Sequence, residues 1–201
     1  MLHPDTELRS INPSIGHGVF ATTFIPMGSI VYVKDAMEII VREEDTLFLD
    51  RRYRDHIEKY SYTEADGCKV LSWDLAKYVN HACESNTLST GYGFEIAIRD
   101  IHKGQQVTDD YGMLNIEHVM PCHCGSLHCR QHIGLNDFAD CSDDWDRKVK
   151  IALMRLNHVS QPLLDYLSPE TYVLLELFLN NNDEYHSVRY LERRLMQDHV
   201  A

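Results

Sequence analysis

The chain is short of positive charge. Among 201 residues it has 19 Lys and Arg against 31 Asp and Glu, a formal net charge of −12. The excess of acid sits in the first 141 residues, ahead of a more balanced C-terminal part. Binding to a phosphate backbone rests on Lys and Arg neutralising phosphates, so direct nucleic-acid binding is not expected. A basic protein or peptide partner fits such a surface by charge complementarity. Long apolar runs are also missing. Nothing approaches the roughly 20 apolar residues of a membrane span, and Met1 to Ser10 carries charge where a signal peptide would carry an apolar stretch. The expectation is a soluble intracellular protein of cytoplasm, nucleus or nucleoid, or an effector secreted without a classical signal peptide. Internal repeats and low-complexity segments are absent from the sequence.

Short β-branched or aromatic runs are present instead. "GVFATTF" (18–24), "SIVYVKD" (29–35), "MEIIVRE" (37–43), "FEIAIRDI" (94–101) and "QQVTDDY" (105–111) are broken by glycine, proline and charge, which predicts a β-rich front part. Leu47, Tyr53 and Ile57 fall near helical spacing within residues 45–62 and predict a short helix there. From about residue 142 the pattern changes. Val149, Ala152, Leu153 and Leu156 recur at the helical period, "PETYVLLELFL" (169–179) is nearly continuous, and Val188, Leu191 and Leu195 repeat it. Three helices are predicted, with turns near residues 160–162 and 180–183. Sixty residues bury little apolar surface alone, so these helices are expected to pack against the β core. The overall class is mainly β with helices (α+β).

Cysteine is scarce but clustered. Of six cysteines, three stand in "CHCGSLHC" as C-x-C-x4-C (Cys122, Cys124, Cys129). Close-set thiols in a reducing compartment read as metal ligands. A tetrahedral structural zinc site needs a fourth ligand. His123 and His128 are the local candidates and Cys68, Cys83 and Cys141 the distant ones, and the segment alone leaves the choice open.

Four segments then line up in order: "GHGVFA" (16–21), "NHACESN" (80–86), "AIRDIHKGQQVTDDYG" (97–112) and "CHCGSLHCRQHIG" (122–134). Over about residues 8 to 135 they resemble the SET-domain family of protein lysine methyltransferases with its zinc-binding post-SET segment. The resemblance implies a SET-domain β-clip with a pseudoknot over residues 1–112, a post-SET zinc-binding segment over 113–141 and a C-terminal helical extension over 142–201. It also implies an S-adenosyl-L-methionine-dependent protein-lysine N-methyltransferase acting on a basic protein such as a histone tail. The alternative is a non-enzymatic zinc-containing SET module that binds basic peptides.

The same resemblance implies residue roles. Gly16, His17, Gly18 and Val19 match the loop that contacts the methyl donor, and Asn80 and His81 match its second contact. Tyr111 matches the catalytic tyrosine, which also borders the cofactor. Cys83 matches the thiol that joins Cys122, Cys124 and Cys129 around Zn2+. A second tyrosine lining the lysine channel is Tyr60 or Tyr62, with Tyr62 preferred. Arg130 to Ile133 are expected near the adenine. The helical extension is expected to pack, with homodimerisation through it as a further possibility.

Three departures stand out. Ser85 stands where proline is common. Gln131 replaces the glycine that usually follows Cys-Arg. Asp109, two residues before Tyr111, occupies a position that is often Phe or Tyr and is linked in the family to the number of methyl groups added. Room for di- or trimethylation is expected.

Overall fold

The computed structural model describes residues 1–134, 136–181 and 184–193. The chain forms five small sheets and four α-helices among these residues. Strands β1 (Thr6–Asn12) and β2 (Gly16–Ala21) make an antiparallel hairpin. Its turn is fixed by the Asn12 side chain, whose Oδ1 accepts from the backbone N–H groups of Ser14 and Ile15 at 2.9 Å each. Strand β3 (Ile30–Val33) belongs to a three-stranded sheet of order β3-β9-β8 with β8 (Thr87–Ser89) and β9 (Phe94–Ala97). A second antiparallel sheet joins β4 (Ile39–Val41), β5 (Ser61–Thr63) and β6 (Lys69–Leu71) in the order β4-β6-β5. The two-residue strands β7 (Asn80–His81) and β10 (Thr108–Asp109) pair in parallel, and β11 (Met120–Pro121) pairs with β12 (His132–Ile133) antiparallel.

Local chemistry sets the helices. The predicted helix over 45–62 is divided into α1 (Glu43–Thr46) and α2 (Arg51–Tyr60). Asp50 starts α2 by accepting from the Arg52 N–H, which satisfies one of the donors left free at a helix start. Helix α3 runs from Asp137 to Leu153 without a break, so one helix crosses the boundary expected at residue 142. Ser168 caps α4 (Pro169–Asn180), with Pro169 at the first position, where a missing N–H costs nothing. The third predicted C-terminal helix is a 3-10 turn at Val188–Leu191, because the cap Ser187 is followed by only one turn before Glu192 returns to extended backbone. Leu195, the last apolar residue of that pattern, lies outside the described residues.

One core joins the two halves of the sequence. Ile30, Val33, Leu88, Phe94 and Ile96 from the sheets are buried against Trp145, Val149, Leu153, Leu175, Phe178 and Val188 from the helices. The polar Gln161 completes the joint. Its side chain accepts from the Ile30 N–H at 2.9 Å and donates to the Gly28 carbonyl at 2.7 Å, so it serves the start of the β3 edge that residues 1–3 cover further along. A second cluster of Val19, Ala21, Ile25, Val31, Ala97, Ile101 and Val107 fixes the β1–β2 hairpin to the centre. No helix among the described residues is long and apolar enough to cross a membrane.

Candidate active site and metal centre

The site is assembled where β7 and β10 lie side by side. Thr108 pairs with Asn80 and Asp109 with His81, so the segment leading to Tyr111 passes beside the Asn-His pair. The buried Asn86 holds this crossing. Its Nδ2 donates to the Gln106 carbonyl at 2.8 Å, and its Oδ1 accepts from the Thr108 N–H at 2.9 Å. One amide thus replaces a missing strand partner on both its donor and its acceptor side. Ser85, also buried, donates its hydroxyl to the Thr87 carbonyl at 2.8 Å. That bond closes the turn, so proline is not needed to preset it.

On one side of the crossing stands the β1–β2 hairpin. Asn80 Nδ2 donates to the His17 carbonyl at 2.9 Å. A Cβ on Gly18 would sit 2.9 Å from that Nδ2 and 2.7 Å from Ile11 Cδ1, so a larger residue there would push the Asn80 amide from its place. Gly16 has φ +86 and open space where its Cβ would be. Val19 is fully buried in the core, which leaves only its backbone to face a ligand.

On the other side is a cavity of about 400 Å³ walled by Tyr32, Tyr60, Tyr62 and Tyr111, with Glu95 and Asp109 among its lining. The Tyr111 hydroxyl donates to the Val79 carbonyl at 2.7 Å. Burial, followed by the charges of Asp109 and Glu95, pushes its pKa above the ordinary value of 10. Tyr111 therefore stays protonated at neutral pH. Tyr60 stacks edge-on with Tyr78, which in turn meets His17 at a ring distance of 5.9 Å. Tyr60 and Tyr62 both line the cavity. Tyr32, which sequence reasoning did not single out, joins them because β3 runs beneath; only its register in the sheet could have pointed to it.

Behind the crossing the sulfur atoms meet. Cys83 Sγ lies 3.8 Å from Cys122 Sγ, and Cys129 Sγ lies 3.6 Å from the same atom. Thiolates about 2.3 Å from a tetrahedral zinc stand about 3.8 Å apart, so these spacings fit that metal. His81, Cys83, Cys122 and Cys124 bring their ligand atoms within 4.8 Å of one another. His81 has two contacts that bear on its role. Its Nδ1 accepts the Tyr111 backbone N–H at 3.1 Å, and its Nε2 is 3.3 Å from Cys83 Sγ. A neutral imidazole that accepts at Nδ1 carries its proton on Nε2, which makes Nε2 a donor to the sulfur and not a metal ligand. The donor set that can hold zinc is then the three thiols of the group with Cys129 as the fourth.

Residues 16–112 match the SET domain family. They are a SET domain. The histone-lysine N-methyltransferase trithorax of Drosophila virilis is 30% identical over an alignment of 137 residues, covering 59% of this chain and 3% of that protein. The putative histone-lysine N-methyltransferase ASHH4 of Arabidopsis thaliana is 23% identical over 175 residues, covering 78% of this chain and 47% of that protein. The chain therefore spans less than half the length of either relative. Among solved structures, KRYPTONITE in complex with mCHH DNA, H3(1–15) peptide and SAH aligns with a TM-score of 0.45 and 21% identity, over 66% of this chain and 30% of that one.

Within the SET domain, the strand-and-turn residues around 100 serve structure. Asp100 accepts from the Met27 N–H at 2.9 Å, Ile101 is fully buried, and Gly104 takes φ +80. Beyond it, Gln131 has φ +68, the left-handed region that favours glycine, which accounts for the residue commonly found at this position. Arg130 is drawn to a buried carboxylate. Its guanidinium is bound to Asp110, and Trp145 Nε1 donates to the same carboxylate at 3.0 Å. Ile133 is buried beneath β11, while Gln131 and His132 are exposed.

Proposed function

We propose that this chain is an S-adenosyl-L-methionine-dependent protein-lysine N-methyltransferase that acts on a basic protein such as a histone tail. The observation that carries this reading is the position of Tyr111. Its ring borders the cavity at Val79, while its backbone sits on His81 beside the Gly16–Gly18 hairpin. Open space at Gly16 and the Asn80 amide held on His17 suit a ligand on the hairpin side. Gly16, His17, Gly18, Val19, Asn80, His81 and Tyr111 would border the methyl donor there, with Val19 contributing backbone only. Cys83, Cys122, Cys124 and Cys129 would hold Zn2+, with His81 donating to the Cys83 thiolate, so that the metal and the cofactor contact share the four-residue segment 80–83.

When bound, S-adenosylmethionine supplies a methyl group on a positively charged sulfur, which leaves as a neutral thioether. The chain's part is positioning. Tyr111 donates a hydrogen bond to the Val79 carbonyl and so turns an oxygen lone pair toward the cavity, where it would accept an N–H of the incoming amine. Tyr32, Tyr60 and Tyr62 withhold water from that amine, which favours its neutral, attacking form. Acidic groups in the cavity and the net charge of −12 suit a lysine-bearing basic protein. The outer face of α4, with Tyr172, Val173 and Leu177 exposed, is the surface a homodimer would use.

The test is incubation with tritiated S-adenosylmethionine and a panel of histones and other basic proteins, followed by mass spectrometry of labelled bands. We expect lysine methylation in wild type and a loss of about a hundredfold or more in Tyr111→Phe, with cofactor affinity by calorimetry changed little. Full activity of Tyr111→Phe removes that residue from the mechanism. Absence of both labelling and cofactor binding in wild type favours the non-enzymatic peptide-binding module.

A further inference from the structure

Phe94 and Ile96 of β9 are buried in the core, and the residue between them is an acid. By strand alternation Glu95 lies on the opposite face, level with its cross-strand partners Tyr32 of β3 and Ser89 of β8. That face borders two cavities. Tyr32, Tyr62, Thr63, Glu95, Leu114 and Asn115 line both the cavity of about 400 Å³ beside Tyr111 and a second one of about 310 Å³. The second reaches solvent at Asp66, Gly93 and Tyr190, which are exposed. Glu95 thus stands where the inner cavity meets an outlet. It is half-buried, no hydrogen bond or ion pair reaches its carboxyl among the described residues, and its oxygens are not sealed within the protein as Asp109 Oδ1 is.

The other ionisable groups around it are engaged. At the rim of the first cavity Glu58 is held by Lys69 at 3.2 Å and Glu117 by Arg193 at 2.7 Å. In the second, Lys34 holds Glu64 at 2.7 Å. The Met1 amine acts on Glu95 from beside Asp35. The Tyr32 hydroxyl donates to Glu38 and the Tyr111 hydroxyl to Val79, each at 2.7 Å. Burial holds the hydroxyls of Tyr32, Tyr62 and Tyr111 above their ordinary value of 10, so none of them is a base at neutral pH. Burial and then the Glu95 charge keep Asp109 well above the ordinary carboxylate range, so of these two carboxyls Glu95 ionises first.

We propose that Glu95 is a further catalytic residue, which takes the proton that an entering lysine ammonium must lose and returns it to solvent through the second cavity. The inference rests on the lysine methyltransferase reading. Tyrosine walls that withhold water from the amine also remove its usual proton acceptor, so an acceptor inside the site is required. One N–H bond of the ammonium breaks and an O–H bond forms on Glu95. The freed lone pair then forms the N–C bond, while the S–C bond breaks with its electron pair kept by sulfur. Glu95 releases its proton outward before the next transfer. The first step turns two charges into two neutral groups, the state that a site with little water favours. Burial brings the Glu95 carboxyl up to about 7, near neutral pH, where a general base is most effective.

The test uses the zinc-loaded full chain, tritiated S-adenosylmethionine and a peptide spanning a lysine labelled in the basic-protein panel. The peptide is made with lysine or with δ,δ-difluorolysine, whose less basic amine enters largely neutral. Glu95→Gln is expected to lower kcat on the lysine peptide by about 10²–10⁴-fold, with KM and cofactor affinity changed little. Wild-type kcat is expected to rise with pH to a plateau above about 7, because Glu95 accepts a proton only when ionised. In Glu95→Gln that step is absent, and activity climbs on toward the pKa of the amine, about 10.4. On the difluorolysine peptide the two proteins are expected to differ by less than about tenfold. Ser89→Leu, which fills the second cavity beside Glu95, is expected to lower kcat several-fold and leave cofactor affinity as it is. Thermal unfolding and zinc content report whether each variant is folded. Undiminished turnover in folded Glu95→Gln, an equal loss on both peptides or an unchanged pH profile would overturn the proposal, and undiminished turnover in folded Ser89→Leu would overturn the outlet. Absence of any methylation by wild type would instead overturn the enzymatic reading itself.

Discussion

Gly112, directly after Tyr111, is a residue whose side chain cannot be anything larger. A Cβ there would lie 2.8 Å from Asp137 Oδ2 and 2.9 Å from Asp137 Cβ, at the start of α3. Gly112→Ala would have to displace that helix start. We expect a loss of about 1–3 kcal/mol in denaturant unfolding, together with lower activity because the loop carrying Tyr111 moves. Glu95 offers a test of a different kind. Burial pushes its carboxyl up to about 7 from an ordinary 4.5. The folded chain therefore holds this proton more tightly than the unfolded chain does, and ionising it costs stability. The cost is absent below about pH 4.5, grows between 4.5 and 7, and is complete above 7. Glu95→Gln is expected to stabilise the fold by about 1–2 kcal/mol at pH 8 and to change little at pH 4.5, as read by unfolding at the two pH values.

At the scale of elements, the segment from β7 to Asn86 serves four neighbours in turn. Asn80 meets the hairpin, His81 meets the Tyr111 backbone, Cys83 meets the sulfur cluster, and Asn86 replaces a strand partner for residues 106–108. The proposed metal and cofactor contacts, Cys83 and His81, thereby stand two peptide bonds apart. Chelation, or Cys83→Ser, is expected to loosen residues 120–133 in hydrogen exchange and to weaken S-adenosylmethionine binding by about tenfold or more, as second-shell losses at metal sites do. Cofactor affinity that survives complete zinc removal would separate the two. Helix α3 adds a further tie. Trp145 reaches across to Asp110, which also holds Arg130, so the cysteine-rich segment, the Tyr111 loop and the helix share one buried carboxylate.

For the whole molecule, the decisive feature is a core that ignores the sequence boundary near 142. Trp145, Val149, Leu153, Leu156, Leu163, Leu175, Phe178 and Val188 are each 2% exposed or less. At roughly 1.5–3 kcal/mol for each buried side chain, their joint contribution matches or exceeds the about 5–15 kcal/mol by which a domain is stable. A fragment of residues 1–141 is therefore expected to lack a cooperative thermal transition and to bind hydrophobic dyes, whereas the full chain unfolds cooperatively. A cooperative transition in the fragment would make the helices an accessory. The change in periodicity at 142 is real at the level of sequence, yet α3 runs through it, because apolar spacing reports which face is buried and not where a folding unit ends.

The sequence by itself carried the short strands, the amphipathic C-terminal helices, the clustered thiols and, through the order and spacing of four segments, the SET domain of residues 16–112. Those features are local or written as fixed spacings, and they survive without coordinates. Periodicity could not find the two-residue strands β7 and β10, since two residues have no period; their pairing is set by the Asn86 amide from six residues away. Nor could it find Tyr32 in the cavity wall, the Asp110 carboxylate shared by Arg130 and Trp145, or the choice between His81 and Cys129 beside the sulfurs. Each depends on which groups meet across 20 or more residues of chain, and on hydrogen bonds that fix a tautomer or fill a strand edge. Asp109 is the sharpest case: in the sequence it is a departure from a pattern, and only the fold shows it buried at the cavity wall with Oδ1 lacking a hydrogen-bond partner.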